Sequence, residues 1–316
     1  MKKEAKIYVA GHRGMVGSAI VRQLEKQGYV NIVTRTHQEL DLCRQAQVEE
    51  FFKEERPEYV FLAAAKVGGI MANMTSPASF LYDNLMIQSN IIECSYQYGV
   101  KKLLFLGSSC IYPREALQPM KEDYLLNGKV EPTNEGYAIA KITGIKLCEM
   151  YNRQYGTNYI SVMPCNLYGI GDDFDPIKSH VVAALIRKFH EAKVERKKGV
   201  VVWGTGKARR ELLFTDDLVD ACLFLMDSYS GNEFVNIGSG TDVSIQELAE
   251  IIKEIVGFEG DIVFDDSKPD GMPQKLLDVT RLCNLGWNYK TKLEEGLKIT
   301  YQWYLDNYTL FHGGIQ

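Results

Sequence analysis

Apolar residues fall along this chain in short blocks of two kinds that take turns. Brief continuous runs, Lys6-Ile-Tyr-Val-Ala10, Asn31-Ile-Val33, Tyr59-Val-Phe-Leu-Ala63, Leu103-Leu-Phe-Leu106 and Tyr159-Ile-Ser-Val-Met163, read as strands buried on both faces. Between them lie stretches with helical spacing: Met15 to Lys26, Arg44 to Glu55, Pro77 to Tyr98 with Leu81, Leu85, Ile91 and Ile92, and a helix through Tyr137 to about Tyr155. Strand and helix alternate without hairpin signals, which predicts an α/β fold with a doubly wound parallel sheet. The rhythm breaks at Pro164, where Cys165-Asn-Leu-Tyr-Gly169 opens an irregular acidic segment. Beyond it the pattern gives a helix Val181 to Ala192, a strand Val200-Val-Val-Trp203, a helix Asp216 to Asp227, a strand Phe234-Val-Asn-Ile237, a helix Ile245 to Val256 and a final amphipathic helix around Leu293 to Tyr304. The Asp216 helix and the Phe234 strand are expected to return to the sheet. The domain division is therefore discontinuous: 1–167 with 212–240 for the sheet, and 168–211 with 241–316 for a smaller C-terminal unit, whose closing residues read as a loose tail.

The first strand runs straight into Gly11-His-Arg-Gly14-Met-Val-Gly17 and then into a helix. Glycines let the backbone turn tightly and approach a phosphate, and a helix N-terminus offers free amide donors, so a strand-loop-helix unit of this kind points to a dinucleotide. After the second strand stands Thr34-Arg35-Thr36-His37, where an NAD site would carry an acid for the ribose hydroxyls. Arg35 and Arg13 instead suit a 2'-phosphate, which favours NADPH over NADH. The bland alternative for Arg35 is an exposed loop residue.

Charge and composition exclude other classes. A net charge of −5 argues against a nucleic-acid partner, and no apolar run approaches membrane-spanning length or forms a signal-peptide core, so a cytoplasmic protein is expected. Seven cysteines are scattered without a Cys-x-x-Cys, and five histidines show no ligand spacing, so reduced thiols and no metal are expected.

Tyr137-Ala-Ile-Ala-Lys141 places a phenol and an ammonium four apart on one helix face, where the cation is expected to lower a phenol pKa that starts near ~10. Ser108 follows the run Leu103 to Leu106, at the strand end where open α/β sheets place ligand contacts.

Glycine loop, Ser108, Tyr137-x-x-x-Lys141 and a smaller C-terminal portion together resemble the extended short-chain dehydrogenase/reductase superfamily, whose fold is a Rossmann-type doubly wound sheet with a C-terminal α/β substrate domain. More narrowly, Ala10-Gly-His-Arg-Gly-Met-Val-Gly17, Leu106-Gly-Ser-Ser-Cys-Ile-Tyr-Pro113, Glu131-Pro-Thr-Asn134, Asn166-Leu-Tyr-Gly169, Ser179-His180 and Lys268-Pro-Asp-Gly271 resemble the GDP-L-fucose synthase family. The resemblance implies epimerisation of GDP-4-keto-6-deoxy-D-mannose at C3 and C5 and reduction at C4 with NADPH. It also implies a homodimer, built from the Pro77 and Glu135 helices. It assigns catalysis to Ser108, Tyr137 and Lys141 for the reduction, and to Cys110 and His180 as the two proton carriers. For NADP(H) it implies Gly11, Arg13, Gly14, Met15, Val16 and Gly17; Arg35, His37, Asp41 and Leu42; Ala63, Ala64 and Ala65; Gly107, Ser108, Tyr137 and Lys141; and Pro164, Asn166, Leu167 and His180. For the GDP-sugar it implies Ser108, Cys110, Asn166, Lys188, Trp203, Arg210 and Asp278, with Arg210 selected over Arg209 by its spacing from Trp203. The chain departs from the family at Gly136, where proline is common, at Cys165, where threonine is common, and at His37, where a second arginine can grip the 2'-phosphate.

Two competing readings remain. An NAD-retaining nucleotide-sugar 4-epimerase or dehydratase would favour an acid at Arg35, and a dehydratase also an acid pair after the strand-end serine, where this chain has Cys110-Ile. A non-catalytic NADP sensor would typically lack the Tyr-x-x-x-Lys that is intact here.

Overall fold

The computed structural model describes residues 1–176, 179–268 and 270–308, so the closing segment 309–316 lies outside the described residues. The first half of the chain alternates as its pattern demands: β1 (Ile7–Ala10), α1 (Met15–Lys26), β2 (Ile32–Val33), α2 (Gln45–Glu55), β3 (Tyr59–Leu62), α3 (Ile70–Thr75), α4 (Pro77–Gln97), β4 (Lys102–Leu106), α5 (Glu135–Tyr155) and β5 (Tyr159–Pro164). β1, β4 and β5 are buried at every position, as unbroken apolar runs require in a sheet covered on both faces. The rest comprises β6 (Asn166–Tyr168), α6 (Val181–Val194), β7 (Gly199–Trp203), β8 (Arg209–Phe214), α7 (Thr215–Ser228), β9 (Val235–Ile237), β10 (Asp242–Ser244), α8 (Ile245–Val256), β11 (Asp261–Asp265), β12 (Gln274–Lys275), α9 (Thr280–Asn284) and α10 (Leu293–Asp306).

The central sheet has the order β2-β1-β3-β4-β5-β9, with every neighbouring pair parallel. Helix α1 packs on α7, while α2, α4 and α5 pack in a row. The chain steps from β1 to β2 on one side and then to β3 on the other, so the strand order reverses between β1 and β3. Such a switch point leaves a crevice beyond the C-terminal strand ends, where open α/β sheets bind their ligands. Strand β9 extends this sheet through Val235↔Val162 and its neighbours, as the Phe234 run predicted.

A second core gathers around β8. Its Leu212–Phe214 half pairs in parallel with β6, while Arg209–Glu211 pairs antiparallel with β10, and Arg209 and Arg210 pair in parallel with β12. Strands β7 and β11 form a separate parallel pair. Phe174, Val182, Phe189, Leu248 and Tyr304 are among its buried residues.

Several elements depart from the pattern. The segment after Gly257 was expected as helix and loop, yet it holds β11, β12 and α9. These have only two to five residues, β11 begins and ends on aspartate and β12 is wholly polar, so partner strands rather than their own periodicity set their conformation. Likewise Leu277, Leu282 and Trp287, which sequence order groups with the C-terminal unit, are buried in the first core. No helix is long and apolar enough to cross a membrane, and no group of His, Cys, Asp and Glu could hold a metal ion, among the described residues.

Candidate active site

The glycine loop lies in the switch-point crevice. Gly11 adopts a φ of +86°, and a Cβ there would lie 2.7 Å from backbone atoms of Ala64 at the end of β3. Gly17 has its own reason: a Cβ would stand 2.0 Å from the Gly11 carbonyl oxygen, so only glycine lets α1 pass this close beneath the loop. Gly14 is the N-cap of α1 and supplies no side-chain cap, so the first-turn amides at Met15 and Val16 are not spent on one. These features fit a dinucleotide diphosphate. Ala63, Ala64 and Ala65 follow the end of β3, Gly107 follows β4, Pro164 closes β5, and Asn166 and Leu167 open β6 just beyond it.

The cations placed for a 2'-phosphate are arranged unequally. Arg13 is exposed, with no ion pair among the described residues. Arg35 is not merely exposed: it is paired with Glu55 of α2, donates to the Thr34 carbonyl at 2.8 Å and lies over the Phe51 ring. Both guanidiniums also face Glu39, whose carboxylate is held below its ordinary range first by the Thr36 amide and hydroxyl. His37 is open to solvent, 4.0 Å from Asp41, and Leu42 lends its carbonyl to Asn90.

At the end of β4 the catalytic candidates come together. Ser108 caps the 3-10 turn Ser109–Ile111, its hydroxyl accepting from the Cys110 amide at 3.3 Å, and it faces the Tyr137 phenol of α5. Lys141, one turn on, donates to the Leu106 carbonyl at 2.7 Å and sits 5.7 Å from the centre of the Tyr137 ring. The expected pKa lowering is not what this arrangement gives. Burial raises the Tyr137 phenol above its ordinary value, with Cys110 adding to the rise and Ser108 opposing it. Burial also drops Lys141 to about 7. Desolvation outweighs the attraction because Lys141 is itself 3% exposed and its ammonium is turned onto a carbonyl.

His180 caps the start of α6. Much of its surface is open, yet the protein crowds its ring enough that desolvation, and then the Lys275 ammonium, hold its pKa below ordinary, against an upward pull from Asp173. The same Lys275 places its Nζ 3.7 Å from Cys110 Sγ. Lys275 thus faces both of the residues expected as proton carriers, and sequence reading missed it because a lone lysine in a two-residue strand gives no signal.

The residues assigned to GDP differ in their surroundings. Trp203 is 64% exposed, with the ammoniums of Lys188 and Lys268 over its ring at 5.4 and 5.8 Å. Arg210 directs its guanidinium to the carbonyls of Met272, Asp270 and its own neighbour Arg209 and forms no ion pair among the described residues, whereas Arg209 is committed to Asp242 and Glu247. Asp278 is half-buried: its carboxylate accepts the Thr280 amide at the start of α9, and its backbone is tied to Met120 and Asn236 beside the first core. Asp270 is the acid beside Arg210, its carboxylate fastening Thr205. The string Lys268-Pro-Asp-Gly271 was the available signal for Lys268 and Asp270; its proline lies outside the described residues.

Glu211, fully buried, joins the two cores: it accepts the Gly240 amide at 2.7 Å and the Leu277 amide at 2.8 Å. Burial raises its carboxyl to about 7, against those backbone donors.

Comparison with known proteins agrees with this geometry. The model of the NAD dependent epimerase/dehydratase family matches residues 7–238. GDP-L-fucose synthase 1 of Arabidopsis thaliana is 62% identical over 305 residues, covering 96% of this chain and 94% of that protein. GDP-L-fucose synthase of Escherichia coli (strain K12) is 56% identical over 317 residues, covering 98% and 99%. Among solved structures, a GDP-L-fucose synthetase from Naegleria fowleri bound to NADP superposes with a TM-score of 0.90 at 30% identity, covering 98% of this chain and 96% of that one. The chain belongs to the NAD dependent epimerase/dehydratase family and, within it, to the GDP-L-fucose synthase family.

Proposed function

We propose that the protein converts GDP-4-keto-6-deoxy-D-mannose to GDP-L-fucose, as a 3,5-epimerase and NADPH-dependent 4-reductase. The observation that carries this reading is the meeting, at the end of β4, of a Ser108–Tyr137–Lys141 reductive set with Cys110 and with His180 through Lys275. NADP(H) would be held by the amides at the start of α1, by Arg13 and Arg35 at the 2'-phosphate, and by Lys141. When bound, NADPH supplies the hydride for C4 of the sugar.

The chain's own groups do the remaining work. Cys110 as thiolate takes a proton from the carbon beside the ketone: the C–H bond breaks, S–H forms, and the electron pair moves to the oxygen as an enolate. Ser108 and Tyr137 donate to that oxygen and stabilise its charge. His180 returns a proton to the opposite face, which inverts the carbon. In the reduction Tyr137 delivers its proton to the C4 oxygen, and Lys141 steadies the phenolate left behind. A phenol whose pKa is raised by burial keeps its proton until that oxygen demands it. Arg210 and Lys188 would meet the diphosphate, with Trp203 as an apolar wall.

We further propose the two-unit division, with substrate held between the sheet unit and the β8 unit, and a homodimer through α4 and α5, whose exposed Tyr82, Tyr96, Ile139, Met150 and Tyr155 supply apolar surface.

The test is NADPH oxidation with GDP-4-keto-6-deoxy-D-mannose in deuterated water. Oxidation with label at both C3 and C5 supports the bifunctional reading, and Cys110→Ser should lose most labelling while still binding NADPH. Oxidation without label reduces the protein to a 4-reductase; no oxidation returns the 4-epimerase and sensor readings.

A further inference from the structure

The reaction as written gives Lys275 no part, yet its place is tightly determined. Its Nζ stands 3.7 Å from Cys110 Sγ, across 165 positions of sequence. Strand β12 is held in register on β8 at Gln274↔Arg209 and Lys275↔Arg210, and two residues on the Leu277 amide is fixed by the buried Glu211 carboxyl. No carboxylate forms an ion pair with Lys275 among the described residues, so its charge is not neutralised locally. Two titratable groups of α5 also face Cys110, Tyr137, a neutral phenol, and Lys141, whose ammonium is buried against the Leu106 carbonyl, and Lys275 itself also faces the buried Cys165 thiol. His180, at the start of α6, faces Lys275 in turn.

We infer that Lys275 is the charge partner of the Cys110 thiolate, a positioning residue that keeps an ionised sulfur available as the carbon base. This deepens the epimerase reading and rests on it. Cys110 gives its proton to solvent, the Lys275 ammonium stays protonated and balances the sulfur charge, and the thiolate then accepts the carbon-bound proton as S–H forms. A cation within reach of a thiol raises the thiolate fraction and with it nucleophilicity toward electrophiles. The same ammonium disfavours a second positive charge on His180.

The test is the rate of alkylation by iodoacetamide between pH 5 and 9, with Cys110 read by peptide mass and exposed Cys283 of the same chain as internal reference. In the unaltered protein Cys110 should outpace Cys283 at pH 7 although it is the less exposed. Lys275→Met and Lys275→Gln should slow Cys110 about ten-fold at pH 7, the lower end of what one opposite charge does, and leave Cys283 unchanged. Lys275→Arg, which keeps the charge, should keep most of the rate. An unchanged Cys110 rate in either neutral variant overturns the inference, and so does a Cys110 slower than Cys283 in the unaltered protein, a comparison that needs no variant to fold. If the rates change as expected but substrate acquires no label at C3 and C5, the pairing stands and the epimerase reading falls.

Discussion

Alanine at Gly17 puts a methyl group where α1 passes under the glycine loop. The new Cβ would lie 2.0 Å from the Gly11 carbonyl oxygen, 2.6 Å from its carbon and 2.9 Å from the His12 Cα. All three are backbone atoms, so nothing can swing aside as a side chain would, and loop or helix must move by on the order of 1 Å to restore ordinary contact. Overpacking costs ~1–3 kcal/mol, and a backbone clash belongs at the upper end. The better helix propensity of alanine returns at most ~1 kcal/mol. The net loss of about 2 kcal/mol corresponds to a fall of ~3 °C in Tm for a chain of 316 residues. Gly14→Ala is the contrast. Its φ is −76° and its Cβ would meet only the Gly11 oxygen, at 3.5 Å, so the fold should melt within about 1 °C of the unaltered protein. Both substitutions should weaken NADPH binding at least ~10-fold, the first by displacing the amides and the second by covering the approach to them. Thermal unfolding and fluorescence titration with NADPH read the two effects separately. A Gly17→Ala protein that melts with the unaltered one refutes the packing argument. A Gly14→Ala protein with unchanged NADPH affinity refutes the diphosphate site.

Three further outcomes follow from charges. Unfolded Lys141 holds its proton to about 10.5 while the folded group releases it from about 7, so the unfolded state binds more protons in that window and stability rises with pH; relative to Lys141→Met, the unaltered protein should gain about 2 kcal/mol between pH 7 and 9 in urea unfolding, and parallel curves would contradict the buried ammonium. Asp172 runs the other way: burial raises its carboxyl to about 7 and its Oδ2 has no partner, so the folded state keeps a proton the unfolded state has lost and stability declines as pH rises from about 4 to 7. Asp172→Asn should remove about 2 kcal/mol of that decline between pH 5 and 7, and an unaltered slope would show that the side chain finds solvent or a partner. Arg13→Ala with Arg35→Ala should raise the Kd for NADPH about ten-fold or more and leave that for NADH nearly unchanged, measured by calorimetry; an equal loss for both cofactors would move the 2'-phosphate elsewhere.

What the sequence determined by itself was the α/β alternation, the glycine loop and the strand-end positions, because each rests on residues adjacent in the chain. Unbroken apolar runs specify strands buried on both faces, Gly17 answers to contacts within one strand-loop-helix unit, and Tyr137 and Lys141 share a helix face by spacing alone. Tertiary structure decided the rest. Strands β11 and β12 are too short and too polar to announce themselves, and form because β7 and β8 offer them hydrogen-bonding edges. Leu277 and Leu282 joined the first core across the division that sequence order suggests, and Lys275 acquired a partner only when β12 crossed to the end of β4. The relation between Tyr137 and Lys141 was legible as proximity but not as energy, since spacing gives the distance between two groups and only burial gives the cost of charging them.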